Sequence, residues 1–145
     1  MAHDEQVTLL YLVKQLELAV RSRLDRVVAE AGLTTIQYTA LTVLERHPDM
    51  TSAVLARLSF VRAQTMAELV AVLDQRGLIE RHPDPNSRRQ NLIRLTDAGR
   101  AVLEQLREPV ARIEQEMTAT TSAARIETTR AALHAWRDAL ADEPR

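Results

Sequence analysis

LIERHPDPNSRRQNLIRLT, residues 78–96, is the stretch whose reading decides the fold. Its two ends, Leu78-Ile79-Glu80-Arg81 and Leu92-Ile93-Arg94-Leu95, are rich in strand formers, and residues 82–90 between them are rich in turn formers. The pattern predicts a β-hairpin. Its prolines keep the tip, read as residues 82–90, out of any sheet interior and projecting into solvent. Residues 86–95 carry Arg88, Arg89 and Arg94 and no acid. Such a run on a hairpin is ordinarily a solvated tip, and only what precedes it in the chain gives it another meaning.

Immediately upstream, residues 62–76 show helical spacing and are closed by Gly77. Met66, Leu69, Val70 and Leu73 fall on one side; Gln64, Ala67, Glu68, Ala71 and Gln75 fall on the other. An ordinary exposed face is laced with paired charges, whereas this one offers amides and small alanines that let a groove approach closely. Before it, after a turn of about three residues, lies a short helix capped by Thr51 or Ser52 and carrying Val54, Leu55 and Leu58. A short helix, a tight turn, a longer helix and then a hairpin make a winged helix-turn-helix. In that arrangement the second helix lies in the major groove, and a wing arginine can enter the narrow minor groove.

Further upstream, Thr34-Thr35-Ile36-Gln37 fits a capping box, and Ile36, Ala40, Leu41 and Leu44 give the apolar stripe of the helix it starts. His47-Pro48 ends that helix. In the first helix Val7, Leu10, Tyr11, Lys14 and Leu18 fall at helical spacing, while Leu9, Leu12, Val13 and Leu16 fill the other side. So broad an apolar surface needs burial on more than one side, either against a partner chain or as a central helix of this one. Gly32 is placed as its C′ residue. Downstream, Thr96 caps a helix with Val102, Leu106, Val110, Ile113 and Met117 on one face and Pro109, expected to bend it, inside. A last helix from about Ser122 aligns Ile126, Leu133, Trp136 and Leu140, as a dimer seam or an intramolecular core.

Composition removes several classes of function. With 145 residues, 46% hydrophobic, the chain can build one real core. It has no cysteine, which excludes disulfides, thiolate metal sites and thiol redox sensing. Its three glycines stand alone, so no phosphate-cradling loop can form. Tyr11, Tyr38, Phe60 and Trp136 are too scattered for a base-stacking platform. His3, His47, His82 and His134 make no ligand-spaced pair, and no serine lies in a nucleophile elbow. The expectation is no enzyme, no metal and no cofactor. No segment has the length and freedom from charge of a membrane span, and MAHDEQ is not a basic leader, so a cytoplasmic location is expected. Basic residues are arginine except Lys14, through coding bias or through use as bidentate donors. The net charge of −1 speaks against nucleic acid only as an average. Residues 61–100 hold seven basic and five acidic side chains, and residues 101–145 six and eight.

The ordered set of motifs resembles the MarR (multiple antibiotic resistance regulator) family of winged-helix transcription regulators. Leu33-Thr34-x-x-Gln37-Tyr38-x-x-Leu41-x-x-Leu44 is similar to that family's second helix. Leu55-Ala56 with Leu73-x-x-x-Gly77-Leu78-Ile79-x-Arg81 is similar to its helix-turn-helix and the start of its wing. Asp84-Pro85-x-x-Arg88-Arg89 followed by Leu95-Thr96-x-x-Gly99 is similar to its wing and exit. Two positions depart from the pattern. Ser87 stands where the family has the aspartate that braces the wing arginine, here Arg89, leaving Asp84 or a serine hydrogen bond as substitutes. Glu68 stands on the presumed groove face where a neutral or basic residue is common, either as an acceptor for cytosine N4 or as a plain surface charge.

The resemblance implies a mainly α fold with N- and C-terminal dimerisation helices: residues 1–32 and 101–145 for dimerisation, 33–100 for DNA. The residues placed to touch DNA are Thr51, Ser52, Arg62, Ala63, Gln64, Thr65, Ala67, Glu68, Arg88 and Arg89. It further implies a homodimer reading an inverted-repeat operator in double-stranded DNA. It also implies a small aromatic or phenolic effector, in a pocket that Tyr11, Tyr38 and His47 could line. The expectation is therefore a dimeric, sequence-specific, ligand-responsive repressor. The alternative is a winged-helix protein-interaction dimer that has lost specific DNA binding.

Overall fold

The structure, a computed structural model, describes residues 6–141. The chain divides into two compact units, Met1–Val110 and Ala111–Arg145. The first holds helices α1 (Leu9–Ala29), α2 (Thr35–Arg46), α3 (Ser52–Leu58) and α4 (Ala63–Gln75), strands β1 (Ile79–Asp84) and β2 (Ser87–Leu95), and most of helix α5 (Asp97–Thr118). The second holds the end of α5 and helix α6 (Ala123–Leu140). Among the described residues no helix is long and apolar enough to cross a membrane.

Local sequence sets the helix ends. The Thr34 hydroxyl accepts from the Gln37 amide at 3.2 Å while the Gln37 side chain accepts from the Thr34 amide at 2.9 Å, completing the capping box. The Thr51 and Ser122 hydroxyls cap α3 and α6 by accepting from the amides of Val54 and Arg125, without the reciprocal bond. After α1 the Leu33 amide donates to the Val28 carbonyl and the Gly32 amide to that of Ala29, the Schellman pattern with Gly32 at C′ and φ +72°. Gly77 repeats it after α4, with Leu78 bonded to Leu73 and Gly77 to Asp74. The turn between α3 and α4 is a third copy, with Val61 bonded to Ala56 and Phe60 to Arg57, but its C′ residue is Phe60 at φ +61°. A helix-turn-helix turn often holds a glycine; this one holds an aromatic that is 89% exposed.

The core of the first unit comes from Leu41 and Leu44 of α2, Leu55 of α3, Met66, Val70 and Leu73 of α4, and Ile79 and Ile93 of the hairpin, with Val28 from the end of α1. Two residues expected in the apolar stripes are displaced from it. Ile36 and Leu58 are exposed, and Val43 and Ala56 are buried instead: Ile36 lies in the first turn of α2, ahead of its buried run Ala40–Leu44, and the covered face of α3 is turned towards Leu55 and Ala56, away from Leu58. On α1 the apolar excess stays uncovered within the chain. Its Leu9, Leu10, Tyr11, Leu12, Val13, Leu16 and Leu18 are 43–73% exposed, and only Val28 is buried, so α1 is not a central helix of its own chain. In the second unit, no residue of α6 is buried; of its apolar stripe Leu133, Trp136 and Leu140 are exposed and Ile126 is partly covered.

The hairpin is longer than its sequence suggests. Pairing runs from Ile79↔Leu95 to Pro83↔Asn91 and resumes at Asp84↔Ser87, so the connection is only Pro85 and Asn86 rather than residues 82–90. The prolines are tolerated because both strands of a two-stranded sheet are edges. The register breaks between Pro83 and Asp84, where Pro83 has no N–H to give, and Arg88, Arg89 and Gln90 are looped out of the ladder there. Thr96 then caps α5, its hydroxyl accepting from the Gly99 amide at 3.1 Å. Pro109 lies inside α5, one residue before the last residue of the first unit.

Candidate nucleic-acid interface

Three elements build the site, and each is held by contacts legible in the residues. The start of α3 is tied to the wing through Met50, whose carbonyl accepts from the Ile93 amide at 2.8 Å. Beside it Asp49, at φ +62°, lies 2.9 Å from Nε of Arg94 and 3.4 Å from Nε2 of His82. Arg94 also places Nη2 2.7 Å from that histidine nitrogen, so β1, β2 and the segment before α3 share one polar clamp. Helix α4 is seated by Met66, Leu69, Val70 and Leu73, all buried as its wheel predicts, which turns Gln64, Ala67, Glu68, Ala71 and Gln75 outward. The first wing strand is fixed to the last turn of α4 by Arg81 and Asp74.

Between these elements lies an open cleft of ≈ 340 Å³. Thr51, Ser52 and Ala53 of the α3 start, Ala67 and Val70 of α4, and Arg81, Arg89, Gln90, Asn91 and Ile93 of the wing line it. Four expected DNA residues, Thr51, Ser52, Ala67 and Arg89, are thereby brought together. The others, Arg62, Ala63, Gln64, Thr65, Glu68 and Arg88, are exposed and do not line it. Arg62 is the N-cap residue of α4 without a side-chain capping bond. Gln90 and Asn91 also line the cleft, Gln90 looped out of the ladder and Asn91 paired with Pro83, and neither carries a sign of this in the local sequence. Arg81 was legible only as part of a strand motif, and its guanidinium is engaged by Asp74.

The substitutes considered for the missing wing aspartate are not used. Asp84 Oδ1 accepts from the Asn86 amide at 2.9 Å, closing the tip, and among the described residues neither the Arg88 nor the Arg89 guanidinium has a hydrogen bond or ion pair. Two unneutralised guanidinium groups at a protruding tip suit phosphate or groove-floor acceptors.

Tyr11, Tyr38 and His47 are not gathered into one cleft. Tyr11 and His47 are exposed, and Tyr38 is half-buried against the core. His47 is the C-cap of α2, whose first turn holds Tyr38, about 13 Å away along the axis at about 1.5 Å per residue. A second cleft of ≈ 320 Å³ is lined by Leu44, Glu45, Pro48, Asp49, Arg94, Leu95 and Arg100 and by none of these three. Burial pushes the Tyr38 phenol up from its ordinary pKa, and Glu45 adds to the shift. On α5 the Glu104 carboxylate beside Arg107 raises its guanidinium further, with a smaller contribution from Glu45. Among the described residues no group of three His, Asp or Glu side chains could hold a metal ion; His3 lies outside them.

The sequence profile of the MarR family matches residues 31–90, which run from the end of α1 into the wing. The repressor NicR of Pseudomonas putida is 35% identical over 72 residues, covering 50% of this chain and 46% of its own. The activatory protein BadR of Rhodopseudomonas palustris is 34% identical over 90 residues, covering 60% of this chain and 51% of its own. The chain spans about half to three-fifths of the length of the curated relatives it matches. A solved structure of the transcriptional repressor CouR bound to a 23-mer DNA duplex superposes with a TM-score of 0.80 at 27% identity, covering 88% of this chain and 91% of that one.

Proposed function

We propose that the chain is a MarR-family regulator, homodimeric and sequence-specific, that binds an inverted-repeat operator in double-stranded DNA and represses transcription until a small aromatic or phenolic effector binds. The observation that carries the reading is the cleft itself. It joins the capped start of α3, the small-residue face of α4 and Arg89 of the wing, with Arg88 and Arg89 unneutralised beside it. A duplex laid there puts α4 in the major groove and the arginine tip over the adjacent minor groove.

The uncovered leucines of α1, and separately the exposed Leu133, Trp136 and Leu140 of α6, support the dimer, since patches of this kind mark association surfaces. The DNA-bound state of the CouR structure and the repressor name of NicR support repression, while BadR bears the opposite sign. The regulator names of NicR and BadR support a regulatory role.

The experiment is a titration of duplexes tiled from the DNA upstream of the chain's own gene, in a salt series, against random duplex. Specific binding that weakens steeply with salt supports the reading. Affinity indistinguishable from random duplex overturns it and leaves a winged-helix interaction dimer.

A further inference from the structure

We propose that Glu68 is the residue by which α4 demands a cytosine in each half-site, and that its charge suppresses binding to all other DNA; this rests on the DNA-binding reading above. Glu68 sits near the middle of the outward face of α4, one turn beyond Gln64 and beside Ala67, whose methyl lines the cleft. It is exposed, and among the described residues its carboxylate has neither a hydrogen bond nor an ion pair. The positions one turn away on either side, Gln64, Thr65, Ala71 and Val72, are all uncharged. No cation of its own helix screens it.

An unscreened carboxylate facing a duplex is repelled by every phosphate, so it weakens binding to any sequence that gives it no donor. The major-groove edges hold few donors. Guanine offers N7 and O6 and thymine offers O4, all acceptors, and a carboxylate can only accept. That leaves the amines of cytosine N4 and adenine N6. Adenine carries the N7 lone pair next to its amine, which repels the second carboxylate oxygen, whereas cytosine carries a C–H there. The chemistry therefore selects cytosine. Gln64, one turn earlier on the same face, can both donate and accept, which matches the N6 and N7 pair of adenine. The short side chains of Ala67 and Ala71 let the backbone of α4 come close enough for a carboxylate on only two methylenes to reach the groove edge.

The test is selection from duplexes randomised across one half-site, using the full-length chain and its Glu68→Gln and Glu68→Ala variants at one ionic strength. Circular dichroism confirms that both variants are folded. The expected result is that the wild type retains a cytosine at one fixed position and disfavours its replacement by about 5- to 150-fold. In Glu68→Gln that position shifts to adenine, in Glu68→Ala it becomes degenerate, and both variants bind random duplex about threefold tighter than the wild type. If the variants select the same base at every position, or lose affinity equally on all sequences, Glu68 is not a base reader and the proposal fails. If the wild type enriches no sequence at all while remaining folded, the DNA-binding reading fails instead.

Discussion

Arg81 of β1 donates from both Nε, at 3.1 Å, and Nη2, at 2.9 Å, to the same carboxylate oxygen of Asp74 in the last turn of α4. The wing is thereby tied to the helix proposed to read DNA, across the tight Gly77 turn. Both side chains are about two-fifths exposed, so the pair is worth at most about 1 kcal/mol and is screened by salt. Asp74→Asn should lower Tm slightly in 20 mM salt, and the difference from wild type should vanish at about 1 M, where the screening length is about 3 Å. A difference that persists at high salt would mean that Asp74 acts through something other than charge.

Phe60 occupies the C′ position that glycine fills after α1 and α4. A left-handed backbone costs a non-glycine residue about 1–2 kcal/mol, and an 89% exposed ring recovers little of that by burial. Glycine adds back about 0.4–1 kcal/mol of unfolded-chain entropy. Phe60→Gly should therefore stabilise the protein by about 0.5–1 kcal/mol, while Phe60→Ala, which keeps the strain, should not. Denaturant midpoints measured on both variants decide it.

Gly99 answers to space rather than to φ. A Cβ there would overlap the carbonyl oxygen of Leu78, which already accepts from the Thr96 amide, so backbone must move. Gly99→Ala should destabilise by about 2–3 kcal/mol. At Gly77 a Cβ meets nothing within 4 Å, and Gly77→Ala should lose only the left-handed preference, about 1–2 kcal/mol. Equal losses at the two positions would refute the distinction.

The free wing arginines give a salt-dependent prediction. Arg89→Ala should weaken operator binding and lower the slope of log affinity against log salt by about one, the mark of a lost phosphate contact. Arg125→Ala, on α6, should change neither. Gln64→Ala should alter which sequences bind, not merely how tightly all of them do.

Tyr38 supplies a test by pH. Its phenol is raised by burial first and by Glu45 second, so the folded state holds the proton more tightly than the unfolded chain. The stabilisation is fully present below the unfolded phenol pKa of about 10 and is lost as pH rises through the higher folded value. Tyr38→Phe cannot ionise and should show a shallower loss of stability above about pH 10. The wild-type minus variant absorbance near 295 nm should report the shifted titration directly.

Local sequence alone determined the helix-turn-helix and its caps. The Thr34-Gln37 box, the Thr51 and Ser122 hydroxyls and the glycines at 32 and 77 act over one helical turn, so their effect is written in adjacent residues. The wheel of α4 was equally legible, since a period of 3.6 residues fixes which side faces the core. Other features depended on distant partners. Ile36 and Leu58 carry the right spacing but no neighbour covers them. Phe60 makes the same short-range bonds as the two glycine turns, but an aromatic side chain, unlike glycine, carries no sign of a left-handed backbone. Gln90 is looped out where the ladder breaks after Pro83 while Asn91 stays paired, and whether Asp84 braces Arg89 or closes its own turn is a matter of geometry that composition does not record. Periodicity and capping are short-range and therefore readable along the chain; the cleft, its free cations and its uncompensated Glu68 arise from residues far apart in sequence, and only packing decides which of them meet.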